Sequence, residues 1–109
     1  MNWLHVISYF LGGAFLTNAV PHFVSGVMGE PFQSPFAKPP GKGLSSSTIN
    51  VLWACLNIIV GYLLVCRVGD FNFKATGDVV PLGVGILAMG LFAARQFGHL
   101  HGGNTSGRD

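Results

Sequence analysis

Three long apolar runs decide what surroundings this chain can fold in. The first extends from Trp3 to Val20, 18 residues, close to the ~20 a bilayer crossing requires. The second, Val51 to Cys66, is interrupted only by Asn57 and Gly61, and the third covers Val79 to Phe97. Only 9% of the 109 residues are charged, whereas a soluble domain carries about a quarter. Six basic and four acidic side chains cannot cover a water-exposed sphere of this size. The expectation is an all-α membrane protein with three transmembrane helices in one domain.

The flanking residues set the expected helix limits. The apolar pattern of segment one continues past Pro21 through Phe23, Val24, Val27 and Met28, which predicts one helix over about 3–28, kinked at Pro21. The proline cannot bond the Thr17 carbonyl, and Asn18 is near enough to assist. A helix ending at Val20 with an interfacial turn is the alternative. Segment two is expected over about 48–68, after the candidate N-caps Ser45, Ser46, Ser47 and Thr48. Segment three is expected over about 79–97, with Asp78 as cap and Pro81 in the first turn. Residues 99–109 read as a flexible glycine-rich tail.

Residues 29–47 form the chemically unusual part of the chain. Pro31, Pro35 and Pro39 recur every four residues, and Pro-Phe occurs at Pro31-Phe32 and Pro35-Phe36. The prolines and glycines exclude a regular helix or strand across the stretch. A solvated linker has no need of Phe32 and Phe36, so a structured loop against the membrane surface or the chain's own helices is expected. With three spans, this loop and the C-terminus share one side. That side holds Lys38, Lys42, Arg95 and Arg108 against Arg67 and Lys74 on the other. The positive-inside rule then places the loop and C-terminus in the cytoplasm and the N-terminus outside a bacterial inner membrane. No Lys or Arg precedes the first apolar run, so segment one is expected to be retained rather than cleaved as a signal.

Polar residues within the apolar runs need partners. At roughly 100° per residue, Asn50, Ala54, Asn57 and Gly61 share one side of segment two, with Trp53 alongside. Asparagine in hydrocarbon is expensive unless it bonds across helices, and glycine admits a close neighbour. The stripe reads as helix–helix glue, or as a polar pathway at Asn57. On segment three, Gly83, Gly90 and Ala94 share a face, and Gly90, Ala94 and Gly98 are spaced for close packing within the fold or in an oligomer. Carried through Pro21, Asn18, His22 and Ser25 lie on one face of segment one, toward the loop. Asn50 opens segment two at that end, and Arg95, Gln96, His99 and His101 close segment three there. The cluster Asn18, His22, Asn50, Asn57, Arg95 and His99 is therefore the candidate ligand or ion site, against the plainer reading of interfacial residues and a snorkelling arginine.

Other chemistries find no pattern. Glu30 is the only glutamate, and neither paired carboxylates nor triad spacing occurs, so no enzyme is expected. Gly41-Lys42-Gly43 lacks both the upstream glycine and the following Ser or Thr of a P-loop. His22, His99 and His101 with no cysteine near them fall short of a zinc pattern, and His5 lies at the opposite face from the others, against a bis-histidine haem. No metal or cofactor is expected. Cys55 and Cys66 would lie roughly 16 Å apart along one helix, too far to bridge. Free thiols are expected, with an intermolecular disulfide the alternative. The scattered basic residues form no stripe for nucleic acid.

The run PHFVSGVMGEPFQSPFAKPPGKGLSSSTINVLW, about a third of the chain, resembles short integral membrane proteins of bacteria, a likeness that implies no activity. Ala19-Val20-Pro21-His22-Phe23 is also similar over a few residues to DoxX-like membrane proteins, which typically have four helices. The expected function is a non-enzymatic accessory or scaffold protein in the lipid bilayer, associating with itself or a larger membrane complex. The alternative is a homo-oligomeric channel or small transporter with its polar site at the loop-side face.

Overall fold

In the computed structural model, which describes residues 2–103, the three apolar runs form three helices long and apolar enough to cross a membrane. Helix α1 spans Trp3–Val27, opened by Asn2, whose side chain accepts the His5 N–H at 3.2 Å. The helix runs through Pro21 rather than ending at Val20. Helix α2 spans Ser47–Leu63, opened by Ser46, whose side chain accepts the Ile49 N–H at 3.2 Å. It continues as a π-helical turn, Leu64–Val68, closed by Gly69 N–H donating to the Leu64 carbonyl at 3.1 Å. Helix α3 spans Thr76–His101 and stops at Gly102, whose φ of 80° is left-handed.

Two expected limits of the third helix need correction. It begins at Thr76 rather than about residue 79, with Ala75 and not Asp78 at the cap. Asp78 instead reaches back to accept the Asn72 N–H at 3.0 Å, which ties the preceding turn to the helix. The earlier start puts Pro81 beyond the first turn. At the other end the helix passes Gly98 and holds His99 and His101 in its last turn, where the tail was expected to have begun. The rest of the expected tail, residues 104–109 with Arg108, lies outside the described residues.

Between α1 and α2 the chain forms a small antiparallel hairpin, β1 (Phe32–Gln33) and β2 (Leu44–Ser45), with Phe32 opposite Ser45 and Gln33 opposite Leu44. Ser34 holds the connection together. Its carbonyl accepts the Gly41 N–H at 2.9 Å, its hydroxyl accepts the Phe36 N–H at 3.1 Å, and the same hydroxyl meets Ser45 Oγ at 2.6 Å. The Lys38–Pro39 peptide is cis.

Helix α1 is the middle element. It packs against α2 and α3, which barely touch one another. Small residues make both approaches possible. Gly12, Ala19 and Gly26, seven apart, are buried and lie on one line of α1. A Cβ on Gly12 would overlap Val65, and one on Gly26 would lie 2.5 Å from Val51 and 2.8 Å from the Ser47 carbonyl. Gly61 answers from α2, where a Cβ would lie 2.6 Å from Leu16. Toward α3, Gly13 lies against the Leu82 carbonyl and Gly85 against the Phe10 carbonyl, with no room for a methyl at either. Backbones at this distance gain dispersion that lipid tails cannot supply as well.

The membrane face opposite the hairpin closes on Tyr9, which is 1% exposed. Its hydroxyl accepts the Asp70 N–H at 2.9 Å, and its ring meets Phe71 edge-on at 5.3 Å. Gly69 is the residue that lets this ring in, since a Cβ there would overlap it.

Gly85→Ala should lower stability by about 1–3 kcal/mol through overpacking. Gly83→Ala, with nothing within 4 Å, should be neutral or gain up to ~1 kcal/mol of helix propensity. Thermal unfolding of both variants in the same detergent checks the pair; equal behaviour would remove Gly85 from the α1–α3 contact.

Candidate functional site

An asparagine side chain at the start of α2 gathers the hairpin and α1 around it. Asn50 is 0% exposed. Its Nδ2 lies 3.1 Å from the Phe32 carbonyl, 3.2 Å from that of Ser45 and 3.0 Å from that of Ser46. Carbonyl oxygens only accept, so the two amide hydrogens are shared among these three, and the amide cannot be turned round. Its Oδ1 then faces His22 Nδ1 at 2.7 Å and must accept. The proton of a neutral His22 therefore sits on Nδ1, and Nε2 carries the lone pair.

His22 is itself 2% exposed. Three rings meet it close to edge-on: Phe32 from β1 at 5.4 Å, Phe97 from α3 at 6.1 Å and Trp53 from α2 at 6.4 Å. β1, α2 and α3 thus all contribute to the imidazole's surroundings. No Asp or Glu is among its recorded partners.

About one turn back along α1 and two turns on along α2, an asparagine pair crosses between the helices. Asn18 Nδ2 donates to Asn57 Oδ1 at 3.1 Å, and Asn57 Nδ2 donates to the Trp53 carbonyl at 2.8 Å. Asn57 is 1% exposed. The asparagine stripe of α2 is therefore turned inward on α1, where Ala54 and Gly61 are buried with it. The Trp53 Nε1 is buried without a hydrogen-bond acceptor, and its ring stands edge-on to Phe36 at 5.2 Å.

Helix α3 reaches the hairpin through different residues. His101 Nε2 donates to Gln33 Oε1 at 2.7 Å, the amide oxygen being able only to accept. Gln96 Nε2 points at the Gly41 carbonyl at 3.4 Å, a long contact. Phe97 meets Phe32 at 4.7 Å with the ring planes tilted by 56°.

Of the residues singled out in the sequence, Asn18, His22, Asn50 and Asn57 come together. Arg95 and His99 do not join them: both are exposed on α3. His101 takes the position against the hairpin because α3 remains helical past Gly98, and two residues turn a helix by roughly 200°. Gly61 packs against α1, whereas Gly83 faces open space and a Cβ on Gly90 would only touch Thr17 at 4.0 Å. Ala94 is exposed and Gly98 half-buried, its Cα 3.3 Å from where a Cβ on Gly103 would lie. Sequence reasoning missed Gln33, Ser34, Tyr9 and Gly85. The Pro-Phe repeat was a signal for the first two, since phenylalanine in a loop implies that the loop packs. No local signal marks Gly85 over Gly83 or Gly90. Among the described residues, no three His, Cys, Asp or Glu side chains group as metal ligands would.

Comparison with family models, with curated proteins and with solved structures finds no match to this chain.

Asn50→Leu would strand the His22 Nδ1–H and take a side-chain donor from the Phe32, Ser45 and Ser46 carbonyls, of which Ser46 keeps the backbone N–H of residue 50. It should cost about 1–3 kcal/mol and loosen the hairpin. Trypsin cleavage after Lys42 in the folded protein reads this directly. Faster cleavage than in the parent is expected, and an unchanged rate would deny Asn50 its anchoring role.

Proposed function

We propose that this chain is a small non-enzymatic component of a bacterial inner membrane that works by association, with copies of itself or as an accessory subunit of a larger membrane complex. The observation that carries this reading is the state of α3. It buries 6% of its most apolar stretch within the chain, against 28% for each of the other two helices. Its Gly83 has nothing within 4 Å, so a partner helix can approach the backbone there. At the hairpin-distal end, an apolar recess of about 550 Å³ between α1 and α3, lined by Trp3, Phe10, Val80 and Val84, offers room for a partner's side chains.

The internal pairing of Asn18, Asn50 and Asn57 favours association over conduction. Each donates at least one amide hydrogen within the chain, and Asn50 and Asn57 are shut off from the surroundings. A conduction path along the α2 stripe would have to break those bonds. In this reading the hairpin, with Lys38 and Lys42 exposed, faces the cytoplasm together with the end of α3. A bend in α1 at Pro21 would tilt its last turns toward that surface.

Native mass measurement after gentle solubilisation tests the reading. The parent should run as a multiple of its 11.6 kDa chain or with a constant companion. Gly83→Leu should reduce that assembly while leaving the monomer folded. Unchanged assembly in the variant would remove the α3 face from the contact, and a solitary monomer from the native membrane would overturn the reading. Ion or solute flux in liposomes that Asn57→Leu abolishes would favour the channel instead.

A further inference from the structure

Because α2 and α3 barely touch, a cleft remains between them beneath the hairpin, about 330 Å³ in volume. Asn18 and His22 of α1 line its inner side, Gln33 and Ser34 its hairpin side, and Trp53 and Phe97 its flanks. This volume lies at the lower end of the ~300–1,000 Å³ that small-molecule sites occupy. No Asp, Glu, Lys or Arg lines it.

His22 gives the cleft its chemistry. Its Nδ1–H is committed to Asn50, so in the neutral ring Nε2 is a lone-pair acceptor, and it has no hydrogen-bond partner among the described residues. Trp53 Nε1 is the one buried side-chain polar atom there that is both unpartnered and sealed off. The unpartnered Nε2 of His22 therefore reaches open space, and the cleft is the space that His22 lines. A buried acceptor in a membrane, kept in one tautomer by a triply anchored amide, is complementary to a donor.

We propose that this cleft binds an uncharged, hydroxyl-bearing amphiphile whose hydroxyl donates to His22 Nε2 and whose apolar tail leaves between α2 and α3 into the bilayer. The absence of any countercharge in the lining selects against ionic headgroups. A hydroxyl also accepts, and Gln33 lines the cleft with its amide N–H groups uncommitted, its oxygen being occupied by His101. Phe92 and Trp53 supply the apolar passage toward lipid. The volume suits a headgroup and the first carbons of a chain, with the remainder in the membrane. The proposal does not depend on the association reading.

The test uses the full chain, with ¹⁵N-labelled histidine, in phosphatidylcholine nanodiscs, whose lipid brings no hydroxyl donor. The probes are 4-octylphenol, 1-decanol and, without a donor, octylbenzene. The parent should show the Nδ1–H tautomer at His22 and a saturable shift of its Nε2 resonance with a hydroxyl probe, and no such shift with octylbenzene. His22→Phe keeps a ring but removes the acceptor, and should weaken binding about tenfold by quenching of tryptophan fluorescence. A response to 4-octylphenol alone would support the proposal with an aromatic headgroup, and a response to 1-decanol as well would support it for alcohols generally. No Nε2 response to either, or an equal affinity for octylbenzene, would overturn it. The resonance is read on the parent chain, so the outcome stands even where His22→Phe folds poorly.

Discussion

The loop-side half of this molecule depends on one carboxamide. Asn50 binds the hairpin's first strand through Phe32, its second through Ser45, and α1 through His22. In water such bonds would add little, because solvent offers equivalents. At the edge of a bilayer, buried in protein, the alternative for each of these groups is no partner at all. A residue that is usually unfavourable inside a span thus becomes the point from which a loop is built. The prolines of that loop remove competing helical states, and its phenylalanines fill the space around the imidazole.

Close helix contact is the second dependency. Because α1 touches both other helices while they avoid each other, it must present small residues on two sides, and it does so with Gly12 and Gly26 toward α2 and Gly13 toward α3. Adjacent glycines at 12 and 13 serve different neighbours, as roughly 100° between successive residues requires. The cleft under the hairpin follows from the same arrangement, since two outer helices held apart by a middle one leave a gap that only the hairpin spans.

Much of this was legible in the residues. The three spans follow from apolar runs of the right length, and the inward stripe of α2 from the spacing of Asn50, Ala54, Asn57 and Gly61. The limits of α3 were not, because Gly98 looks like a stop, yet the αL residue that ends the helix is Gly102. That shift decided which histidine meets the hairpin. The packing glycine of α3 was hidden for a related reason. Gly83, Gly85 and Gly90 are equally small, and which of them meets α1 depends on the rotation of the whole helix, a property of the assembled fold. The pairing of Ser34 with Ser45 joins residues 11 apart across a turn, where no periodicity can announce it.

The order in which these contacts arise along the chain has a consequence for biogenesis. Everything Asn50 binds lies between residues 22 and 50, so α1, the hairpin and the first turn of α2 can lock together as soon as that part is made. The contacts of Gln33 and Gly41 with α3 wait for residues 96 and 101, which are made only after α2. An emerging chain therefore carries a preformed two-helix unit with an unfinished side, and α3 closes that side when it follows.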